Sequence, residues 1–360
     1  MPSFLHIADL HLSRSSQDYS FCVLTEFCSY VIEHRPELVL IAGDIFDEFA
    51  DAEALRVPFR EHIASLPAET RVLAIPGNHD ILRMGSRKLD VLDFGIGEFP
   101  LHHFQLLHGA DLEVLAVPFG ASPPSPEDLP PPADGVNRVA LVHGTLTGLG
   151  LAGPEQAEAD DAALDPLAYE KLGVSYIAAG HIHKPFLSQG SPCVYAYPGS
   201  ARVWRRGEEG PRGFYHVRTN RPGNYDIERV ELRASGQYRR VVVTLNADGS
   251  LPELHGKDML VEAADLLELV LTGLVPDDAA LERIARDLRN TLGREVRELA
   301  LNTDDVFVLS GAASHPLARG FLEAWKLRYE QAETEQEREV LVKARELGLR
   351  KLKSRIEARS

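Results

Sequence analysis

At 360 residues the chain is too long for one ordinary hydrophobic core and points to two or three folded units. Its hydrophobic content of 44% suits a globular protein, and its longest apolar runs are strand-sized, far short of a membrane span. A net charge of −16 argues against a protein that coats nucleic acid with its whole surface, yet leaves a nucleic-acid enzyme open, because bound divalent ions can dominate a local field.

The first strand-like run, Phe4–Ala8, begins almost at the N-terminus, with no basic region and long apolar stretch before it, so no signal peptide is expected. Tyr19–Arg35 and Ala52–Ser65 carry apolar residues at three- and four-residue spacing and are expected to be helices. Further strands are expected at Leu38–Ala42, Arg71–Ile75, Leu112–Val117, Val139–Val142, Tyr176–Ala179, Val194–Tyr197 and Gly213–Val217. Strands alternating with helices imply an α/β layer. Ser122–Gly135 is rich in proline with acids interleaved and reads as an irregular surface loop. Gly148–Asp165 reads as a flap beside a site, and Gly207–Gly213 as a turn between strands. Cys22, Cys28 and Cys193 form no disulfide or metal pattern. They are read as reduced, buried thiols, and the cytoplasm is the expected location.

A first domain is therefore expected over residues 1–232. A small α+β module is expected over 233–312, with strands at Val241–Leu245, Leu267–Leu271, Glu298–Asn302 and Val306–Leu309. Between them Asp277–Leu292 forms an amphipathic helix with Asp277 as its cap. From 313 to 360 the chain reads as helix, charged over Glu330–Lys343 and with an apolar stripe at Leu341, Leu347, Leu349 and Leu352. It packs on its own domain or docks a partner.

Five short motifs stand in one order: Asp9-Leu10-His11, Gly43-Asp44, Gly77-Asn78-His79-Asp80, His143-Gly144 and Gly180-His181-Ile182-His183. Each follows an expected strand, and loops at the carboxyl ends of strands are where open α/β sheets place their sites. Each motif alone is common, and Asp-x-His or Gly-Asp is more often structural. The ordered set supplies what a two-metal phosphoesterase needs: a carboxylate shared between ions, neutral imidazoles and oxygens.

Asp9 and His11, two apart on an extended segment, face one side and are expected to hold a first ion with His183. Asp44 is the bridging candidate. Asn78 offers an amide oxygen to a second ion, with His143 and His181. His79 is then left to act on the substrate. Asp80 joins it as a catalytic candidate, and either Asp80 or Asp47 could orient a histidine from behind. The mixed donors suit Mn²⁺, Fe or Zn²⁺, whereas an all-oxygen set would favour Mg²⁺. Basic residues gather near the motifs: Arg83, Arg87, Lys88, Lys184, Arg202, Arg205 and Arg206. They are candidate DNA contacts, or solvated loop charges.

These motifs resemble those of the calcineurin-like metallophosphoesterases. The likeness is nearer to the DNA-repair exonuclease branch, the SbcD-type nucleases of double-strand-break repair complexes. The ligand motif continues as Lys184-Pro185. Tyr197-Pro198-Gly199-Ser200 follows, and then Gly207-Glu208-Glu209-Gly210-Pro211-Arg212-Gly213-Phe214. The similarity covers about Phe4–Val217. It implies a two-layer mixed β-sandwich flanked by helices, with a di-manganese centre at the edge of the sheets. It implies Mn²⁺-dependent exonuclease or endonuclease activity on DNA. His79 would then help pass negative charge to the leaving oxygen. Residues 233–312 would be a capping-type domain and 313–360 a helical segment that docks on an SMC-like ATPase; a homodimer is a further expectation. The same superfamily also contains phosphatases and cyclic-nucleotide phosphodiesterases, and a DNA-end scaffold subunit is a third reading.

Overall fold

The structure is a computed structural model that describes residues 3–84, 87–91, 93–96, 100–109, 111–151, 163–189, 192–246, 248–253, 261–312 and 316–357. It divides into two compact units, Met1–Gln237 and Tyr238–Ser360, so the division falls after Gln237 rather than after Leu232, and the C-terminal helices cluster with the second unit.

The first unit opens with β1 (Ser3–Ile7), α1 (Gln17–His34), β2 (Leu38–Ala42), α2 (Phe49–Ala64) and β3 (Arg71–Ile75). A hairpin of β4 (Ile81–Met84) and β5 (Arg87–Val91) follows. Next come β6 (Gln105–His108), β7 (Leu112–Val117), β8 (Asn137–His143), β9 (Thr145–Leu146), β10 (Ala163–Leu164) and α3 (Pro166–Glu170). The unit closes with β11 (Val174–Gly180), β12 (Phe186–Gln189), β13 (Val194–Tyr197), β14 (Gly213–Arg221) and β15 (Asn224–Glu231). Two mixed sheets result, ordered β15-β14-β1-β2-β3 and β12-β13-β11-β8-β7-β6.

The sheets pack face to face. Alternate residues of one strand serve opposite faces. On β2, Leu38, Leu40 and Ala42 join Phe4, Leu73, Val139, Leu141 and Tyr176 between the sheets. Val39 and Ile41 point the other way, onto Val23, Phe27, Leu55 and Phe59 of α1 and α2. The second sheet turns Leu115, Ala140, Val142 and Ile177 toward Tyr169 and Leu172. Strands buried on both faces must be apolar throughout, hence the unbroken run Leu-Val-Leu-Ile-Ala of β2. This is the mixed β-sandwich flanked by helices that the sequence led us to expect. The strands β4, β5, β6, β9, β10, β12 and β15 add to those expected. Ser122–Gly135 forms neither helix nor strand, and residues 152–162 of the expected flap lie outside the described residues. Cys28 and Cys193 are buried as expected, but Cys22 is exposed, on the solvent side of α1.

The second unit holds β16 (Tyr238–Thr244), β17 (Leu266–Val275), α4 (Asp278–Thr291) and β18 (Glu298–Val308), its three strands parallel in the order β16-β17-β18. Asp277 caps α4 as expected, its carboxylate accepting from Ala280 N at 2.8 Å. Ala280, Ile284 and Leu288 of α4 pack on Leu267, Leu269 and Leu271. The two extended segments expected at 298–309 are one strand. After α5 (Leu309–Ala312), the single C-terminal helix expected is two, α6 (Pro316–Glu330) and α7 (Glu335–Glu357). The break has a local cause. Thr334 Oγ1 accepts from Glu337 N at 3.2 Å, and the Glu337 carboxylate accepts from Thr334 N at 3.3 Å, a capping box that starts a new helix. Among the described residues no helix is long and apolar enough to cross a membrane.

Candidate metal centre

The loops after β1, β2, β3, β8 and β11 meet at one end of the sandwich. Their backbones are unusual. Asp9, His11, Asp44 and His181 have φ of 53, 43, 50 and 97°, a region that costs a non-glycine residue about 1–3 kcal/mol each. The surroundings hold them there. Asp9 N donates to Gly43 O at 3.1 Å, His11 N to Asp44 O at 3.0 Å and Leu12 N to Ile45 O at 2.9 Å, so the first two loops run side by side. Gly180 lets the β11 loop close on β2, since a Cβ there would collide with Ala42 O.

The side chains these loops carry are buried: Asp9 and His11 are fully enclosed, and Asp44, His143, His181 and His183 are at most 4% exposed. They form overlapping sets whose donor atoms could share an ion: Asp9, His11 and His183; His11, Asp44 and His79; Asp44, His143 and His181. Asp44 stands between the outer two. Its Oδ2 lies 3.2 Å from His143 Nε2 and 3.9 Å from His11 Nε2. Asn78 Oδ1 lies 2.9 Å from His143 Nε2 and 3.1 Å from His181 Nδ1.

The donor set fits divalent cations. His11 Nε2 and His183 Nε2 face each other at 3.0 Å in a buried site, and the Glu208 carboxylate holds the His183 proton on Nδ1, so His183 Nε2 carries a lone pair for an acceptor such as a cation. His11 Nδ1 has no hydrogen-bond partner at all. Imidazole nitrogens converging with carboxylate and amide oxygens are the donors of Mn²⁺, Fe or Zn²⁺ sites.

The electrostatics agree. Burial, then the neighbouring His183, holds His11 well below its ordinary value; burial and His143 push His181 down to about 3, so both rings stay neutral as donors. Asp44 is ionised. Burial opposes this, but His143, His79 and His11 around it hold its carboxyl well below the usual range. Burial would lower His143, yet Asp44 and Asp9 lift it to about 9. Burial raises Asp9 to about 7 against the pull of His143 and His183.

The second layer of contacts explains the orientation of the rings. His143 Nδ1 donates to Ala42 O at 2.8 Å, which leaves Nε2 turned toward Asp44 and Asn78 and available to an ion. His79 Nδ1 donates to the main-chain carbonyl of Asp47 at 2.6 Å, which leaves its Nε2 for other work. His79 N donates to Asp44 Oδ1 at 2.9 Å. Asp9 accepts from His181 N at 2.9 Å and ties the β1 loop to the β11 loop.

Two expectations are corrected here. Asp80, grouped with His79 as catalytic, accepts backbone N–H groups of Ile45 (3.2 Å), Phe46 (3.0 Å) and Gly77 (2.9 Å); it braces the β2 loop against the β3 loop. Arg202, expected at the DNA surface, is 4% exposed and donates to Leu10 O at 3.2 Å and Ser16 Oγ at 3.1 Å, an internal tie. Arg205 lies over the Trp204 ring at 3.7 Å, and Lys184 and Arg206 are exposed. Arg83, Arg87 and Lys88 fall on the β4–β5 hairpin, their side chains outside the described residues.

Two residues at the centre escaped the sequence reading as site residues. Trp204 stacks on His11, rings 4.1 Å apart and 4° from parallel, and donates through Nε1 to Asp47 Oδ1 at 2.6 Å. Glu208 bonds His183 Nδ1 and also accepts from Trp204 N at 2.8 Å. The only available signal was that Glu208 lies in the Gly207–Gly213 turn already singled out.

A model of the calcineurin-like phosphoesterase family matches residues 2–185. The chain is 27% identical over 281 residues to the DNA double-strand break repair protein Mre11 of Aeropyrum pernix, covering 70% of this chain and 66% of that protein. It is 24% identical over 265 residues to the uncharacterized metallophosphoesterase YhaO of Bacillus subtilis, covering 63% of this chain and 60% of that protein. The chain spans just under two thirds of the length of these relatives. Solved structures with remote likeness include a purple acid phosphatase from yellow lupin (Lupinus luteus) seeds, with TM-score 0.45, 12% identity, and coverage of 66% of this chain and 52% of that one. Another is Vps29 of Entamoeba histolytica complexed with zinc, with TM-score 0.32, 15% identity, and coverage of 64% and 99%.

Proposed function

Because the chain belongs to the calcineurin-like phosphoesterase family, we propose that it uses two divalent ions to hydrolyse phosphodiester bonds in DNA, as an exonuclease or endonuclease of DNA repair or end processing. The observation that carries the chemistry is Asp44, which groups with His143 and His181 on one side and with His11 and His79 on the other. Asp9, His11 and His183 would hold one ion and Asn78, His143 and His181 the other, with Asp44 between them. A bound ion pair would supply charge to the phosphate oxygens and a nucleophile at neutral pH; Mn²⁺ is the metal proposed, from the likeness to the DNA-repair nucleases, and Fe, Zn²⁺ or Mg²⁺ are the alternatives.

The chain's own residues do the rest. Asp44 holds the backbone N–H of His79 and so sets the ring beside the donor groups. Asp47 O accepts a hydrogen bond from Nδ1–H, so Nε2 is the atom left to exchange a proton with the substrate's leaving oxygen. Trp204 covers His11 and keeps water from that ring. DNA as substrate is supported by the likeness to a DNA double-strand break repair protein over 70% of the chain. Exposed Lys184 and Arg206 are the candidate phosphate contacts among the described residues. An SMC-like ATPase partner and a homodimer belong to the same proposal. The exposed Leu327, Val340 and Leu347 of α6 and α7 support a docking role for those helices.

The test is Mn²⁺-dependent cleavage of end-labelled duplex and single-stranded DNA, with His79→Ala beside the wild type. Stepwise loss of nucleotides is expected, reduced by about 10²–10⁴-fold in the variant. Undiminished cleavage by His79→Ala would refute its role. Hydrolysis of small phosphate esters without DNA cleavage would replace this reading with a phosphatase or cyclic-nucleotide phosphodiesterase. Silence toward both substrates with metal bound would favour a scaffold.

A further inference from the structure

The two donor groups are backed by different chemistry. In the Asp44–Asn78–His143–His181 group, His143 is held from behind by a main-chain carbonyl, Ala42 O. In the Asp9–His11–His183 group, His183 Nδ1 is held by the carboxylate of Glu208, itself only 8% exposed. That carboxylate cannot swing away, because its other oxygen accepts from Trp204 N at 2.8 Å. Trp204 in turn lies flat on His11 and donates to Asp47 Oδ1 at 2.6 Å. One short turn, Trp204–Glu208, therefore backs both histidines of this group.

We propose that Glu208 is a positioning residue that makes the two ion sites unequal, so that the Asp9–His11–His183 site fills first and holds its ion the more tightly. The physical reason is the acceptor. A carbonyl and a carboxylate both fix the imidazole proton on Nδ1 and leave Nε2 facing the ion. Only the carboxylate adds a charge-assisted bond, which strengthens as the ring donates its electrons to a cation. The inference deepens the two-ion reading and rests on it.

The test is a Mn²⁺ titration of the chelator-stripped full chain by calorimetry, with occupancy followed independently by electron paramagnetic resonance. Two unequal steps are expected. His183→Ala removes the tighter step and His143→Ala the weaker, which assigns them. In E208Q the amide can keep its oxygen on Trp204 N only by turning its NH₂ toward His183 Nδ1. That forces the ring proton onto Nε2, the ligand atom. The tighter step should weaken by about 10–100-fold while the other stays at its wild-type value. E208D keeps the charge on a shorter stem and should lose less. Melting of the metal-free variants checks the fold; if E208Q does not melt like the wild type, E208D carries the test, with selective weakening of the tighter step still required. Wild-type affinities in the substituted protein, or equal weakening of both steps, would overturn the proposal. So would two equal steps in the wild type, with the two-ion reading intact. A wild type that binds no second ion would instead remove the two-ion reading itself.

Discussion

At the scale of single residues, Asp44 carries the most separate duties. It stands between two donor groups, accepts the backbone N–H of His79 and lifts His143 to about 9. Asp44→Ala should therefore lose both ions, which elemental analysis after dialysis would show; full occupancy of both would contradict the bridging role. The residues that converge at the candidate centre were legible because the proposed chemistry demands particular side chains, and Asp-x-His, Gly-Asn-His-Asp and Gly-His-x-His name them outright. Trp204 and Glu208 were not, because their role exists only across the fold: His11 and Trp204 are brought together by the pairing of distant strands, not by spacing. Asp80 shows the converse. An acid beside a histidine proposed as catalytic invites a chemical reading, while its actual partners are backbone N–H groups, which no sequence displays.

At the scale of elements, strands buried on both faces announced themselves as continuous apolar runs, and β2, β3, β7 and β13 fall at the residues expected. Strand β15 did not, because it lies at a sheet edge. Its sequence Asn-Tyr-Asp-Ile-Glu-Arg-Val-Glu is largely polar and reads as loop. The break between α6 and α7 was written in Thr334-Glu335-Gln336-Glu337, a capping box set inside a charged run whose periodicity alone suggests one helix. Thr334→Ala should cost the start of α7 about 0.5–2 kcal/mol. Hydrogen exchange at the first amides of α7 would accelerate accordingly while α4 keeps its rates; unchanged exchange would mean that tertiary packing, not the cap, sets this boundary.

At the scale of the whole molecule, stability and metal binding should respond oppositely to pH. His143 has an ordinary value of 6.5 and is lifted to about 9 in the metal-free fold. At His143 the folded state thus holds more proton than the unfolded chain between those values, and the stabilisation from this group, fully present below 6.5, is lost as pH rises through about 9. An ion needs the ring without its second proton, so affinity should rise over the same window. Melting temperatures at pH 6.5 and 9 would show this: falling with pH under chelator, and a gain from added Mn²⁺ that grows with pH. A metal-free His143→Gln protein with the same pH dependence as the wild type would contradict the His143–Asp44 coupling.

The four proposed ligand positions held at positive φ have a further, evolutionary meaning. Asp9, His11, Asp44 and His181 occupy backbone shapes that glycine adopts without strain. Selection for abundance and selection for turnover therefore pull these positions in opposite directions. A descendant freed from its substrate would gain by drifting toward glycine in these loops, while its sandwich core stayed under the old constraint. Loss of chemistry in such a lineage would begin with the side chains that define it and leave the scaffold standing.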